Sequence, residues 1–179
     1  MEKELKGISL VGLSQINRVQ KNIEKISKKK ECDEMVLNAA LMLHNVGVKR
    51  HLEFHQNLMH SNLNLSKSFL KNNFFPMEKI DLVLHCIQEA HLRGKPKSIE
   101  AKLLHDAVLL DEIGTIGIVK DSFVLLKQKN SAKQLLEFLN AKNVLLKETF
   151  FTVKGKSLAR ERIAEFEKNV KGLEKELAN

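Results

Sequence analysis

The chain has no tryptophan or tyrosine and only two cysteines, two prolines and eight glycines among its 179 residues. Neither Cys32 nor Cys86 stands in a C-x-x-C or metal-finger spacing, which excludes a disulfide framework and a zinc finger and predicts two reduced thiols, typical of a cytoplasmic protein. The lack of tryptophan and tyrosine removes the rings that commonly stack on nucleic-acid bases.

Long apolar segments are also missing at the start of the chain. The first six residues, MEKELK, carry two acidic side chains, and no apolar run of the kind found in signal peptides follows them. We therefore expect neither a secretory signal nor a membrane anchor, and no membrane partner.

Positive charge is in excess, with a formal net charge of +8. Such an excess favours anionic partners, namely nucleotides, phosphorylated small molecules, nucleic acid or acidic lipid. The lysines are scattered apart from a run at 25–30, which a helix C-terminus explains without any partner. Nucleic-acid binding therefore rests on charge alone and is not expected.

Apolar residues recur at helical spacing along most of the chain, which predicts one all-α domain over 1–179, with a core at about 10–120 and supporting helices at about 130–178. Helices are predicted at about 14–28, 33–45, 60–72, 77–91, 98–111 and 132–139, with a last helix from about 156. The last helix has an apolar seam from Ala159 to Leu177, which packs either on the body or on another subunit of a homo-oligomer.

Polar residues interrupt two of the most apolar helices. His44 and Asn45 end the second helix, and Asp106 shares a face with Leu103 and Leu110 of the fifth. Burial of an unpaired carboxylate would cost several kcal/mol, so Asp106 must have a partner.

Several segments resemble the HD-domain superfamily of metal-dependent phosphohydrolases, and in particular its small bacterial and archaeal branch. Residues 39–47, AALMLHNVG, resemble the A-A-L-L-H-D-I-G helix end, and 13–19, LSQINRV, resemble W-S-H-x-x-R-V. Residues 100–111, EAKLLHDAVLLD, are similar to E-A-K-I-L-x-D-A-D-x-L-D, and 113–118 continue that match. Residues 76–80 resemble F-P-x-E-K-I, and 156–162 resemble G-K-x-L-A-x-x-R.

The resemblance implies a site for one divalent metal, held by a histidine of the first helix, a paired histidine and aspartate, and a distant aspartate. Gln15 takes the place of the first histidine and Asn45 that of the paired aspartate, while His44 and Asp106 match as metal ligands and catalytic residues. An active protein would use Mn, Fe, Ni, Mg or Zn. Amides are poor ligands for such ions, because the set loses one carboxylate and one imidazole.

Whether the chain is an enzyme stays open at this point. In one hypothesis the ion is lost, hydrolysis is weak or absent, and Asp106 pairs with His44, Gln15 and Asn45. In a second, a divergent phosphohydrolase uses a metal-bound water to attack a nucleotide or a small phosphate ester. In a third, a non-catalytic regulatory protein uses the pocket for a ligand or the C-terminal seam for a partner.

Further residues could extend the site. His60 and His91 resemble pocket histidines and are candidates for additional metal ligands, whereas His51 and His55 are expected in a loop. Four basic residues are predicted to flank the pocket mouth, where they could hold a phosphate. They are Lys49, Arg50, Arg93 and Lys95.

Overall fold

The computed structural model describes residues 13–27, 32–45 and 56–177, and over these ranges every element is an α-helix. The eight helices are α1 (Leu13–Ser27), α2 (Glu34–Leu43), α3 (Gln56–Asn72), α4 (Met77–Gln88), α5 (Ile99–Glu112), α6 (Thr115–Lys127), α7 (Ala132–Leu146) and α8 (Val153–Leu177). The predicted all-α class is confirmed.

Helix α6 has no counterpart among the predicted helices. Glycine in a helix costs about 1 kcal/mol relative to alanine, so Gly114 and Gly117 weaken the local signal. Gly117 is needed where it stands, because a Cβ there would lie 1.9 Å from the carbonyl oxygen of Glu112. Close packing against the end of α5 therefore explains a glycine that the sequence pattern alone presents as a helix breaker.

Helix α5 is the centre of the bundle. Its residues 103–111 are all buried, because its sequence is apolar nearly all the way round, and α1, α2, α4, α6 and α8 pack against it. One continuous apolar cluster joins these helices.

The starts of three helices are tied together by charged side chains. Asp33 caps α2 by accepting a hydrogen bond from the Val36 N–H (3.2 Å), and its carboxylate pairs with Lys79 of α4 (2.7 Å). The Asp33 N–H donates to the buried carboxylate of Glu100 in α5 (2.9 Å). Because α2 and α5 begin side by side and pack together, the end of α2 lies beside the last turns of α5.

Helix α1 runs antiparallel to α5. Arg18 pairs with Asp111 near the end of α5, and one turn later Asn22 donates to the carbonyl oxygen of Ala107 (3.0 Å). This arrangement brings Gln15, at the start of α1, to the same end of the bundle as the end of α2.

The C-terminal seam packs on the body of the protein. Ala159, Ile163, Phe166 and Val170 of α8 are buried in the common core, and Arg162 donates a hydrogen bond to the Leu110 carbonyl oxygen of α5. Leu177, at the end of the seam, is 49% exposed. The sequence left two alternatives for the seam, packing on the body and packing on a partner subunit. Packing on the body is correct for most of the seam.

Both cysteines are free, as predicted. Burial raises the pKa of the Cys86 thiol to about 12, and burial followed by the nearby Glu100 carboxylate raises that of Cys32. Both thiols are therefore protonated at neutral pH and poor nucleophiles. Among the described helices, none combines the length and the apolar character that a membrane crossing requires.

Candidate functional site

Three predicted site side chains meet where α1 begins and α2 ends, and we call Gln15, His44 and Asn45 the amide cluster. The Asn45 side-chain amide donates to Gln15 Oε1 (3.0 Å) and lies 2.9 Å from His44 Nε2. His44 Nδ1 lies 2.6 Å from the carbonyl oxygen of Leu41. The resemblance placed these positions in one site, and the structure brings them together.

These contacts assign the state of the imidazole. The Leu41 carbonyl can only accept a hydrogen bond, so His44 Nδ1 carries the proton, and Nε2 then accepts from the Asn45 amide. Burial lowers the pKa of His44 below its ordinary value, and the hydrogen bond to Leu41 opposes this only in part. The amide cluster is therefore neutral, and the imidazole lone pair that would bind a metal is already occupied.

Asn62 of α3 completes the surroundings of this cluster and was missed by the sequence reasoning. Its side-chain amide donates to the main-chain oxygen of His44 (2.8 Å), and its own oxygen accepts from Ser66 (3.2 Å). Asn62, Ser66 and Leu70 are all buried and follow at intervals of four. This spacing is the sequence signal that could have placed Asn62 on the buried face of α3. The signal is weak because Leu70 is the only apolar residue of the three.

Asp106 is buried, as predicted, but it is not part of the amide cluster. It accepts hydrogen bonds from the Thr152 N–H (2.7 Å), the Thr152 hydroxyl (2.7 Å) and the Phe151 N–H (3.0 Å), with His105 Nδ1 at 3.1 Å. The expectation that His44, Gln15 and Asn45 satisfy this carboxylate is wrong. Periodicity predicted burial correctly but could not say which neighbour lies on that face of α5.

The partners of Asp106 belong to the start of α8. Thr152 stands just before the helix, where its hydroxyl oxygen accepts from the Gly155 N–H (3.0 Å) while its hydrogen is donated to Asp106. The carboxylate thus complements the positive end of the α8 dipole and two main-chain N–H groups. A Cβ on Gly155 would lie 2.4 Å from Asp106 Oδ2, so glycine is what allows this approach.

The opposite face of α5 is the one directed toward α1. Residues 106 and 108 are about 200° apart around a helix, whereas 108 and 111 share a face. Asp111 on that face binds Arg18 through Nε (2.5 Å) and Nη2 (3.1 Å), and its charge, with those of Glu112 and Lys120, influences the pKa of His44. In the family pattern that residues 100–111 resemble, a second aspartate corresponds to Val108, which here is apolar and buried.

The other predicted site residues do not join the amide cluster through any described hydrogen bond. His60 and His91 are exposed, and His91 Nδ1 accepts from the Arg93 N–H (3.2 Å). Arg93 and Lys95 are exposed in the loop before α5, where the Lys95 N–H donates to Glu89 (2.6 Å). Four remaining candidates lie outside the described residues, namely Lys49, Arg50, His51 and His55. Over the described ranges no three histidine, cysteine, aspartate or glutamate side chains form a group that could hold a metal.

The fold has relatives among solved structures. A protein from Lactobacillus plantarum superposes with a TM-score of 0.74 at 18% identity, over 97% of this chain and 90% of that one. Bacillus subtilis YpgQ in complex with ADP gives a TM-score of 0.68 at 20% identity, over 94% and 90%. An HD-superfamily hydrolase from Bacillus thuringiensis gives 0.64 at 22% identity, over 92% and 85%. The chain has an HD-like fold.

No protein-family model matches this sequence, and neither does any curated protein. Structural likeness at these identities establishes the fold of the chain. The function has to be argued from the chemistry of the site, because one fold can carry unrelated activities.

Two glycines of α8 test the Asp106 contact. Gly155→Ala should destabilise the protein by about 1–3 kcal/mol, because its methyl group would collide with the carboxylate and with Thr152. The matched change Gly172→Ala meets nothing within 4 Å, and it should stabilise by up to about 1 kcal/mol through helix propensity. Urea unfolding of both variants measures the difference, and equal effects would contradict the proposed close approach.

The neutral state of His44 predicts a pH dependence of stability. In the unfolded chain the imidazole regains its ordinary pKa of 6.5, whereas in the folded chain the pKa is lower. Below about pH 6.5 the unfolded state therefore binds a proton that the native state does not. The free energy of unfolding then decreases as the pH is lowered, by at most about 1.4 kcal/mol per pH unit.

The non-titrating variant His44→Gln isolates this contribution. The free energy of unfolding of the parent minus that of the variant should decrease between pH 7.5 and pH 5.5 in urea titrations, because every other titrating group is common to both. A difference that stays constant across this range would show that His44 is not held in its neutral form.

Proposed function

We propose that this protein is an HD-fold binding protein for a nucleotide or another phosphate-bearing small molecule, in which metal-dependent hydrolysis is weak or absent. The single observation that carries the proposal is the closed hydrogen-bond set of the amide cluster, in which Asn45 occupies both Gln15 Oε1 and His44 Nε2. The HD-like fold and the ADP in the complex of B. subtilis YpgQ support the choice of ligand.

The residues present do not fit a divalent ion. A hydrolytic site needs anionic oxygens and free imidazole nitrogens, together with open positions for water and substrate. The amide cluster offers two neutral amides and one imidazole whose nitrogens are both hydrogen-bonded. Two carboxylates of α5 act on His44. Asp111 is paired with Arg18, and Glu112 lies 3.9 Å from Lys120 and 4.0 Å from Lys142. Asp106 is committed to α8. A metal-dependent catalytic step is therefore not part of the proposed function.

The amide side chains suit a pocket without an ion. A carboxylate at position 45 could donate to neither Gln15 nor His44, so two acceptors would face a negative charge. The asparagine donates to both, and the cluster closes without any cation. The competing hypothesis, a divergent phosphohydrolase, requires an ion that breaks these hydrogen bonds.

Metal content and ligand binding together distinguish the hypotheses. For protein purified without chelator we expect no stoichiometric Mn, Fe, Ni, Mg or Zn by mass spectrometry, and no rise in Tm when any of these ions is added. ADP should bind in calorimetry with equal affinity with and without Mn²⁺, and neither ADP nor a generic phosphate ester should be hydrolysed. Stoichiometric metal with turnover would refute the proposal in favour of the divergent hydrolase, and failure of ADP to bind would refute the choice of ligand.

Two variants test metal binding at the amide cluster more directly. Gln15→His with Asn45→Asp rebuilds the altered positions, but it leaves Asp106 on the wrong face of α5. Addition of Val108→Asp supplies a buried carboxylate on the face of Asp111, and that carboxylate needs a cation to be tolerated. We expect Mn²⁺ to raise the Tm of the triple variant and to leave that of the double variant nearly unchanged. A metal-induced rise in the double variant would show that Asp106 can reach the ion.

A further inference from the structure

A cavity of about 340 Å³ lies between α1, the junction of α5 and α6, and the middle of α8. Its volume falls in the range of about 300–1,000 Å³ that is typical of small-molecule sites. None of its lining residues belongs to the amide cluster, so binding in this cavity can be measured separately from the metal content of that cluster.

Basic side chains dominate the cavity. Its charged residues are Arg18, Lys21, Lys25, Arg162, Asp111 and Glu165, so the lining carries a formal charge of +2. Lys21 and Lys25 stand one helical turn apart on α1, and neither forms an ion pair with a described residue. At this wall of the cavity the two exposed ammonium groups are therefore not neutralised by any described carboxylate.

The two arginines are held in place by the protein. Asp111 orients Arg18 through two hydrogen bonds, and Arg162 donates through Nη1 to the Leu110 carbonyl oxygen and through Nη2 to Asn22 Oδ1 (3.3 Å). Two of the five donors of the Arg162 guanidinium are used in this way, and the others have no acceptor among the described residues. A fixed guanidinium loses little conformational entropy when it binds an anion.

The acidic groups do not cancel the positive charge of the cavity lining. Asp111 is neutralised by Arg18 and has Lys120 at 3.9 Å, while Glu165 is exposed and has no described cationic partner. The cavity wall also includes Gly114 and Thr115, at the first turn of α6, where no side chain caps the helix. The main-chain N–H groups of that turn add to the positive potential, although the side-chain cations carry the argument.

We propose that this cavity binds a small dianionic phosphate group, held by Lys21, Lys25 and Arg162. A dianion matches the charge of the lining, and guanidinium and ammonium groups are the side chains that phosphates commonly bind. A cavity walled by four helices favours a small anion over a nucleic-acid backbone, which needs an extended basic surface.

Calorimetry with inorganic phosphate and pyrophosphate at constant ionic strength tests the proposal. The intact protein should bind one equivalent, and the double variant Lys21→Ala with Lys25→Ala should bind at least tenfold more weakly. The control Lys133→Ala with Lys175→Ala removes the same charge from exposed positions outside the cavity and should bind like the parent. Glu165→Gln should bind severalfold more tightly, because it removes a negative charge without removing any predicted donor.

Several outcomes would overturn the proposal. The proposal is wrong if the intact protein binds neither anion. It is also wrong if the two double lysine variants weaken binding equally, because that would indicate a general charge effect. Preferential binding of a single-stranded oligonucleotide with the same dependence on Lys21 and Lys25 would identify a nucleic-acid backbone as the ligand instead. Metal content and turnover of the parent protein report on the amide cluster and not on this cavity, so the two proposals can fail independently.

Discussion

The carboxylate of Asp106 fixes the start of α8 against the central helix α5. It lies in the middle of the central helix, fully buried, and is satisfied by the main chain and the hydroxyl group at the start of α8. A buried charge with good hydrogen bonds is tolerated, whereas the same charge with one partner removed is strongly destabilising. The start of α8 is therefore held against α5 by a polar contact with a defined geometry, in addition to the apolar seam that packs in the core.

This use of Asp106 changes the chemistry available at the other side of α5. The side directed toward α1 carries Val108 and the paired Asp111, so it offers the amide cluster no free carboxylate. The cluster in turn closes on itself through Asn45, with a neutral imidazole. In a cluster without a metal, as we propose, the amide donors satisfy the acceptors that a cation would otherwise satisfy.

Positive charge is concentrated on a different part of the bundle. Arg18, Lys21, Lys25 and Arg162 surround the cavity next to the end of α5, and only part of their charge is balanced there. Part of the net positive charge of the chain is therefore concentrated around one cavity and is not spread evenly over the solvated surface. The two proposals together describe an HD-like fold that offers a site for an anion and no ligand set for a metal.

The sequence by itself determined the helical class, the burial of Asp106 and the apolar seam of α8, because each depends on the spacing of apolar residues along one helix. It also placed Gln15, His44 and Asn45 in one site, through the resemblance to the HD superfamily. Only the tertiary structure decided that Asp106 binds Phe151 and Thr152 just before α8, that α5 is the central helix, that Asn62 supports His44 and that α6 is a helix despite its glycines. These outcomes depend on which helix lies against a given face and how closely it approaches, and the periodicity of a single helix contains neither quantity.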